Sequence, residues 1–158
     1  MINNKLTDIE LSYISEEKRK YKHTRAIIIE VLKMVQRTRG WISDEIIQEI
    51  SQVLCIPICD IEELSTFYSQ IYRQPVGRHI IKFCDSVVCY MLGSSNIKKC
   101  LTKSLYIQPG ETTKNNRFTL LPISCLGNCD KAPTIMIDND TYSNVQVKNI
   151  LILLEKYK

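Results

Sequence analysis

No stretch of this 158-residue sequence approaches the roughly 20 consecutive apolar residues that a helix needs to cross a bilayer. The opening Met1-Ile2-Asn3-Asn4-Lys5 lacks a basic region followed by an apolar core. A cytoplasmic protein is expected, with no direct membrane insertion and any membrane association made through partners. Histidine occurs twice, and His23 and His79 stand at no metal-ligand spacing, so His79 reads as a packed or half-exposed residue. Internal repeats, low-complexity tracts, a Gly-rich phosphate loop and a nucleophile-base-orienter set are all missing. No C-x-x-C motif is present, which argues against a catalytic dithiol. The net charge of +4 is spread along the chain in clusters no larger than Lys18-Arg19-Lys20, so nucleic acid is not an expected partner.

What is there is ordinary for a folded protein: 44% hydrophobic and 24% charged residues, in a chain long enough to bury a core without disulfides. Seven cysteines cannot all pair within one chain, and a reducing cytosol discourages disulfides, so clustered thiols point to metal.

The first half reads as helical. Thr7 and Glu10 have capping-box spacing, and the charged run Glu16 to Lys22 should be a solvated helix end. Between Arg25 and Arg39, Ile28, Val31, Leu32 and Val35 recur at helical spacing, with Gly40 as the stop. Ser43 is the expected cap of a helix burying Ile46, Ile47, Ile50 and Leu54, broken by Pro57. Asp60 and Glu63 repeat the capping pattern before a helix whose stripe of Leu64, Phe67, Tyr68 and Ile71 should be core.

Pro75-Val76-Gly77 marks a change of period. We expect an α+β protein with a helical bundle over 1–76 and an α/β domain over 77–158. The second half offers a strand over 79–83 and a helix capped by Ser94 or Ser95 that carries Ile97, Leu101 and Leu105. Strands follow over 118–123, over 134–137 and near Tyr142, with Asp138-Asn139-Asp140 as a turn. Val147, Ile150, Leu151 and Leu154 should line a closing helix.

Cys84-x4-Cys89 and Cys125-x3-Cys129 each fall where a predicted strand gives way to a loop, and neighbouring strands would bring the two loops together. Four thiolates so arranged can hold a 2Fe-2S cluster or a structural zinc, and spacing leaves both open. Gly127 and Asn128 both tolerate left-handed backbone angles, which suits a loop that wraps a metal centre and turns amides toward its sulfurs. Cys55 and Cys59 have the same C-x3-C spacing but no second pair nearby, so they and Cys100 read as small buried residues.

The succession Thr66-Phe67-Tyr68, Pro75-Val76-Gly77, Cys84-x4-Cys89, Cys125-Leu126-Gly127-Asn128-Cys129 and Ala132-Pro133, together with Trp41-Ile42-Ser43, closely resembles one family. It is that of the small thioredoxin-like 2Fe-2S subunits of NADH-quinone oxidoreductase (respiratory complex I). The resemblance implies a helical bundle followed by a thioredoxin-like ferredoxin domain, with one 2Fe-2S cluster held by Cys84, Cys89, Cys125 and Cys129. It further implies a place in the NADH-oxidising peripheral arm at the inner face of the bacterial membrane. The implied neighbours are the subunit that binds FMN and NADH and the large iron-sulfur subunit.

In such an assembly the chain is an electron carrier without a catalytic site. Its cluster accepts an electron from flavin and lies off the main route to quinone, in a proton-translocating complex. Asp130-Lys131 departs from the pattern, since many relatives have glycine after the fourth cysteine; ligation should be unaffected. Related subunits of NAD-linked hydrogenases and formate dehydrogenases form an alternative assembly. A structural-zinc interaction module without a redox role is an alternative of another class.

Overall fold

A computed structural model describes residues 5–157. The expectation drawn from Met1 to Asn4 lies outside the described residues. The chain forms two compact units that divide between Pro75 and Val76.

The first unit is helical: α1 (Asp8–Lys20), a 3-10 turn (Thr24–Ile27), α2 (Ile28–Arg39), α3 (Asp44–Leu54) and α4 (Ile58–Phe67). Thr7 caps α1 in a full capping box. Its hydroxyl accepts from the Glu10 amide at 3.3 Å, and the Glu10 carboxylate accepts from the Thr7 amide at 2.7 Å. Ser43 caps α3. The apolar stripes of α2 and α3 are buried in one core as their spacing predicts, with Val31, Leu32, Val35, Ile46, Ile47 and Ile50 all inside it.

One polar group crosses this core. Glu10 is 1% exposed and takes a two-pronged bond from Arg39, Nε to Oε1 at 2.8 Å and Nη2 to Oε2 at 2.6 Å. Burial alone would raise the Glu10 pKa, but the bonds from Arg39 and Thr7 outweigh it and bring it down to about 2.

Three helix readings need correction. The pattern from Arg25 opens with the 3-10 turn and becomes α-helical only at Ile28. Pro57, not Asp60, stands at the start of α4; Asp60 lies in the first turn and pairs with Arg25 at 3.0 Å. The aromatic stripe fails because α4 ends at Phe67. Tyr68 turns extended, which leaves Phe67 77% exposed and Tyr68 half exposed, while Ile71 is buried from the turn that follows.

The second unit runs β1 (His79–Cys84), α5 (Val87–Met91), α6 (Ser94–Leu105), β2 (Phe118–Ile123), β3 (Ile135–Ile137), β4 (Asp140–Tyr142) and α7 (Ile150–Glu155). The sheet order is β2-β1-β3-β4; β1 and β2 are parallel, and the other pairs are antiparallel. Parallel pairing requires a crossover, which α5 and α6 provide. Pro122 is tolerated because β2 is an edge strand. Alternate residues, Ile81, Phe83, Phe118, Leu120, Ile135 and Ile137, form one core with Ile97 and Leu101 of α6 and Ile150 and Leu154 of α7.

Gly77 leads into this sheet so closely that a Cβ there would stand 3.0 Å from the Phe118 carbonyl carbon. Its amide donates to Thr119 Oγ1 at 2.6 Å. Two further details differ from expectation. Gly93, not a serine, stands at the start of α6, with Ser94 buried inside its first turn. Val147, in the turn before α7, and Leu151 are exposed; α7 is short and turns Ile150 and Leu154 into the core, with Leu153 packed against it.

Candidate metal centre

Parallel neighbours end at the same edge of a sheet, and this places the cysteines. Cys84, the last residue of β1, lies in register with Ile123, the last of β2, and Cys125 follows two residues later. The Asp85 amide donates to the Ile123 carbonyl at 2.9 Å, tying the two exits together. Cys89 lies not in a loop, as the spacing led us to expect, but on the short helix α5, as its one buried side chain. Cys129 opens a 3-10 turn.

The four thiols form a linked set. The Cys125 and Cys129 sulfurs are 3.9 Å apart, and Cys84 is among the groups that act electrostatically on Cys89, Cys125 and Cys129. Cys84 and Cys89 are buried against Ala132 and the half-buried Leu126, whereas Cys125 and Cys129 are exposed. The site is therefore walled on one side and open on the other.

Electrostatics differ from thiol to thiol. Burial pushes the Cys89 thiol up. The Cys125 thiol is lowered, first by the Gly127 amide, which donates to its sulfur at 3.3 Å, and then by Cys129. Cys129 is raised by its bond to the Cys125 sulfur. Gly127 adopts φ 75°, the left-handed conformation expected of it. Asn128 does not: at φ −114° it works through its side chain, donating to Ser143 Oγ at 2.7 Å and Thr134 Oγ1 at 3.2 Å. Thr134, 1% exposed, reaches back to the Asn128 and Lys131 carbonyls. These loop-fixing roles of Thr134 and Ser143 escaped sequence reading, because each residue lies distant in sequence from the first cysteine pair and belongs to no spacing pattern.

The donor set suits two metals better than one. A single tetrahedral zinc at about 2.3 Å from each sulfur needs all four sulfurs about 3.8 Å apart. Among the described residues no three His, Cys, Asp or Glu side chains converge in that way. A two-iron cluster takes its thiolates two to each iron, which a linked set of four thiols allows.

The other cysteines stay apart from this site. Cys55 and Cys59 are exposed, not buried as their reading required, because they flank Pro57 at the outer corner between α3 and α4. Cys100 is half-buried on α6 and packs against the second core. His79 bonds Asp138 through Nδ1 at 2.7 Å and packs against Phe118 and Tyr157.

A parallel βαβ unit followed by a β-hairpin and a closing helix, with thiols at the shared exit of its first two strands, describes a thioredoxin-like domain of ferredoxin type. The family model for thioredoxin-like 2Fe-2S ferredoxins matches residues 14–158. The E subunit of NADH-quinone oxidoreductase from Buchnera aphidicola subsp. Acyrthosiphon pisum (strain APS) is 54% identical, over 99% of this chain and 97% of that protein. Its counterpart, the E subunit from Escherichia coli (strain K12), is 52% identical, over 97% of this chain and 92% of its own length. Among solved structures, an NAD+-reducing NiFe-hydrogenase in the air-oxidized state superposes with a TM-score of 0.67 at 26% identity, covering 80% of this chain and 22% of that one. The chain belongs to the thioredoxin-like 2Fe-2S ferredoxin family, among the E subunits of NADH-quinone oxidoreductase.

Proposed function

We propose that Cys84, Cys89, Cys125 and Cys129 hold one 2Fe-2S cluster, and that the chain is an electron-transfer component of the NADH-oxidising peripheral arm of NADH-quinone oxidoreductase. The observation that carries this reading is the gathering of two thiol pairs at the shared end of two adjacent parallel strands. When bound, such a cluster supplies one-electron redox chemistry and leaves hydride chemistry to a partner. The residues of this chain hold and shield it. Cys84 and Cys89 anchor from the buried side, Asn128 and Thr134 fix the second loop, and the Gly127 amide stabilises negative charge on the Cys125 sulfur.

On this reading FMN and NADH are bound by a partner subunit, and the electron is exchanged with that flavin. A large iron-sulfur subunit is the second neighbour, and the helical unit serves in docking. The assembly sits at the cytoplasmic face of the bacterial membrane. Among the described residues no helix is long and apolar enough to cross a bilayer. The likeness to the NAD+-reducing hydrogenase favours a second reading, the same carrier role within an NAD-linked hydrogenase assembly.

Protein purified without oxygen should show the visible absorption of a 2Fe-2S centre, two irons and two labile sulfides per chain, and an EPR signal on reduction. A colourless protein with one zinc and no labile sulfide overturns the electron-transfer reading. Copurification with hydrogenase chains and no quinone-reducing subunits selects the second assembly.

A further inference from the structure

The four thiols differ most in access. Cys84 and Cys89 are 2% and 1% exposed, packed with Ala132 and Leu126, whereas Cys125 and Cys129 stand in solvent. A thiol exchanges partners only where the incoming group can reach its sulfur, so the two pairs are unequal toward anything arriving from solution.

The exposed pair is held in place by its own loop. Its sulfurs are 3.9 Å apart, close to the about 3.8 Å between two thiolates on one tetrahedral metal. The Gly127 amide donates to Cys125, and Asn128 is tied to Ser143 and Thr134, which fixes the course of the chain between the two cysteines. The buried pair is built differently. Cys84 ends β1, where its amide donates to the Thr134 carbonyl at 3.3 Å. Cys89 is the single buried side chain of α5, a helix of five residues that is soon followed by Gly93 at φ 94°. So little apolar contact holds α5 down that lifting it costs little, and lifting it brings out Cys89 and opens the side of Cys84 that packs with it.

We infer that Cys125 and Cys129 are the landing pair for cluster delivery: they take a 2Fe-2S cluster from a thiolate-ligated carrier, and Cys84 and Cys89 close on it second. The inference rests on the proposed 2Fe-2S assignment and adds the order in which this chain's ligands engage. In the first exchange Cys125 and Cys129 each form a sulfur–iron bond to one iron, as two bonds from that iron to carrier thiolates break. Each incoming thiol gives up a proton and each departing thiolate takes one, so protons balance and neither iron nor sulfide changes oxidation state. Cys84 and Cys89 repeat the exchange at the other iron as α5 settles back, and the carrier is released.

The test mixes the metal-free full chain, without oxygen, with a 2Fe-2S cluster held by glutathione thiolates, and follows the visible absorption that becomes protein-bound. Cys125→Ala with Cys129→Ala should take up the cluster at least about tenfold more slowly than Cys84→Ala with Cys89→Ala, since only the second variant keeps the accessible sulfurs. Cluster taken up by the Cys84/Cys89 variant should be lost when glutathione is removed, because glutathione completes its second iron. Alkylation gives a readout that needs no cluster. Limiting iodoacetamide on the metal-free wild-type chain should label Cys125 and Cys129 before Cys84 and Cys89.

Equal uptake by the two double variants, or faster uptake by the Cys125/Cys129 variant, overturns the order. If either double variant fails to fold by circular dichroism, Cys129→Ala and Cys89→Ala are compared in its place, and equal uptake again overturns it. Labelling of Cys84 and Cys89 as early as Cys125 and Cys129 overturns it as well. A wild-type chain that takes up no cluster overturns the 2Fe-2S assignment instead, and that failure is seen before any variant is compared.

Discussion

The segments Cys55-Ile56-Pro57-Ile58-Cys59 and Cys125-Leu126-Gly127-Asn128-Cys129 have the same cysteine spacing, and both leave their thiols exposed. Their central residues are opposites. Pro57 fixes its own φ at −54° and offers no N–H, and the sulfurs on either side turn to different partners, Cys55 to the Gln52 carbonyl and Cys59 to the Asp60 carboxylate. Gly127 takes φ 75° and donates its amide to Cys125, whose sulfur stands 3.9 Å from that of Cys129. The larger difference lies outside the segments. Parallel pairing of β1 with β2 brings Cys84, and Cys89 on the α5 that follows, to the second corner, whereas among the described residues no further cysteine pair adjoins the turn between α3 and α4. On the proposed reading, a C-x3-C spacing serves as half of a metal site only where topology supplies the other half.

Removing one ligand should give the largest effect and would break the comparison if it failed. Cys125→Ala is expected to abolish the visible absorption and the reduced-state EPR signal, while Cys55→Ala and Cys100→Ala retain both in full. The intact protein offers a second readout: mass spectrometry after alkylation should find Cys55 and Cys59 modified and the four proposed ligands protected. An unchanged EPR signal in the Cys125 variant would remove it from the ligand set.

An intermediate effect is expected from loosening the unit that carries the Pro57 corner. Glu10, buried and gripped by Arg39, has its pKa lowered to about 2 from an ordinary value of 4.5. That difference corresponds to about 3 kcal/mol. Because the folded-state pKa is the lower one, this stability is fully present above about pH 4.5 and is lost as pH falls toward 2. Glu10→Gln should therefore destabilise the chain by about 3 kcal/mol at pH 7 and flatten its stability between pH 4.5 and 2. The same variant should keep its 2Fe-2S spectrum at about 25 °C and neutral pH. Loss of the spectrum together with the helices would show that the two corners are not energetically separate.

Much of this was legible in residue patterns. Thr7 with Glu10, Ser43, and the stripes of α2 and α3 behave as local chemistry dictates, because capping and helical periodicity involve residues within a turn or two of each other. Both cysteine pairs of the second unit follow a strand as their spacing indicated, though Cys89 sits on the short helix α5 and not in a loop, and family resemblance, not spacing, chose iron over zinc. What stayed hidden depends on distance or on where helices stop. The exposure of Phe67 and Tyr68 follows from α4 ending a turn early. The exposure of Cys55 and Cys59 follows from their place on an outer corner, which cysteine's general preference for burial does not foresee. The grip of Asn128 on Ser143 joins residues 15 apart, beyond any local pattern.

The smallest expected effect tests why glycine stands at the centre of one corner and proline at the other. In Gly127→Ala the added Cβ meets nothing within 4 Å, so crowding contributes no penalty. The N–H that donates to Cys125 is also retained. Only the left-handed backbone at φ 75° remains as a cost, about 1 kcal/mol for an L-residue. The variant should thus melt slightly earlier, with iron content and reduction potential at wild-type values. A marked shift in potential with iron retained would mean that the amide moves when the backbone is strained, and that glycine serves the electronics of the site as well as its geometry. Loss of iron would mean that the loop cannot close around the thiols at all once its left-handed turn is disfavoured.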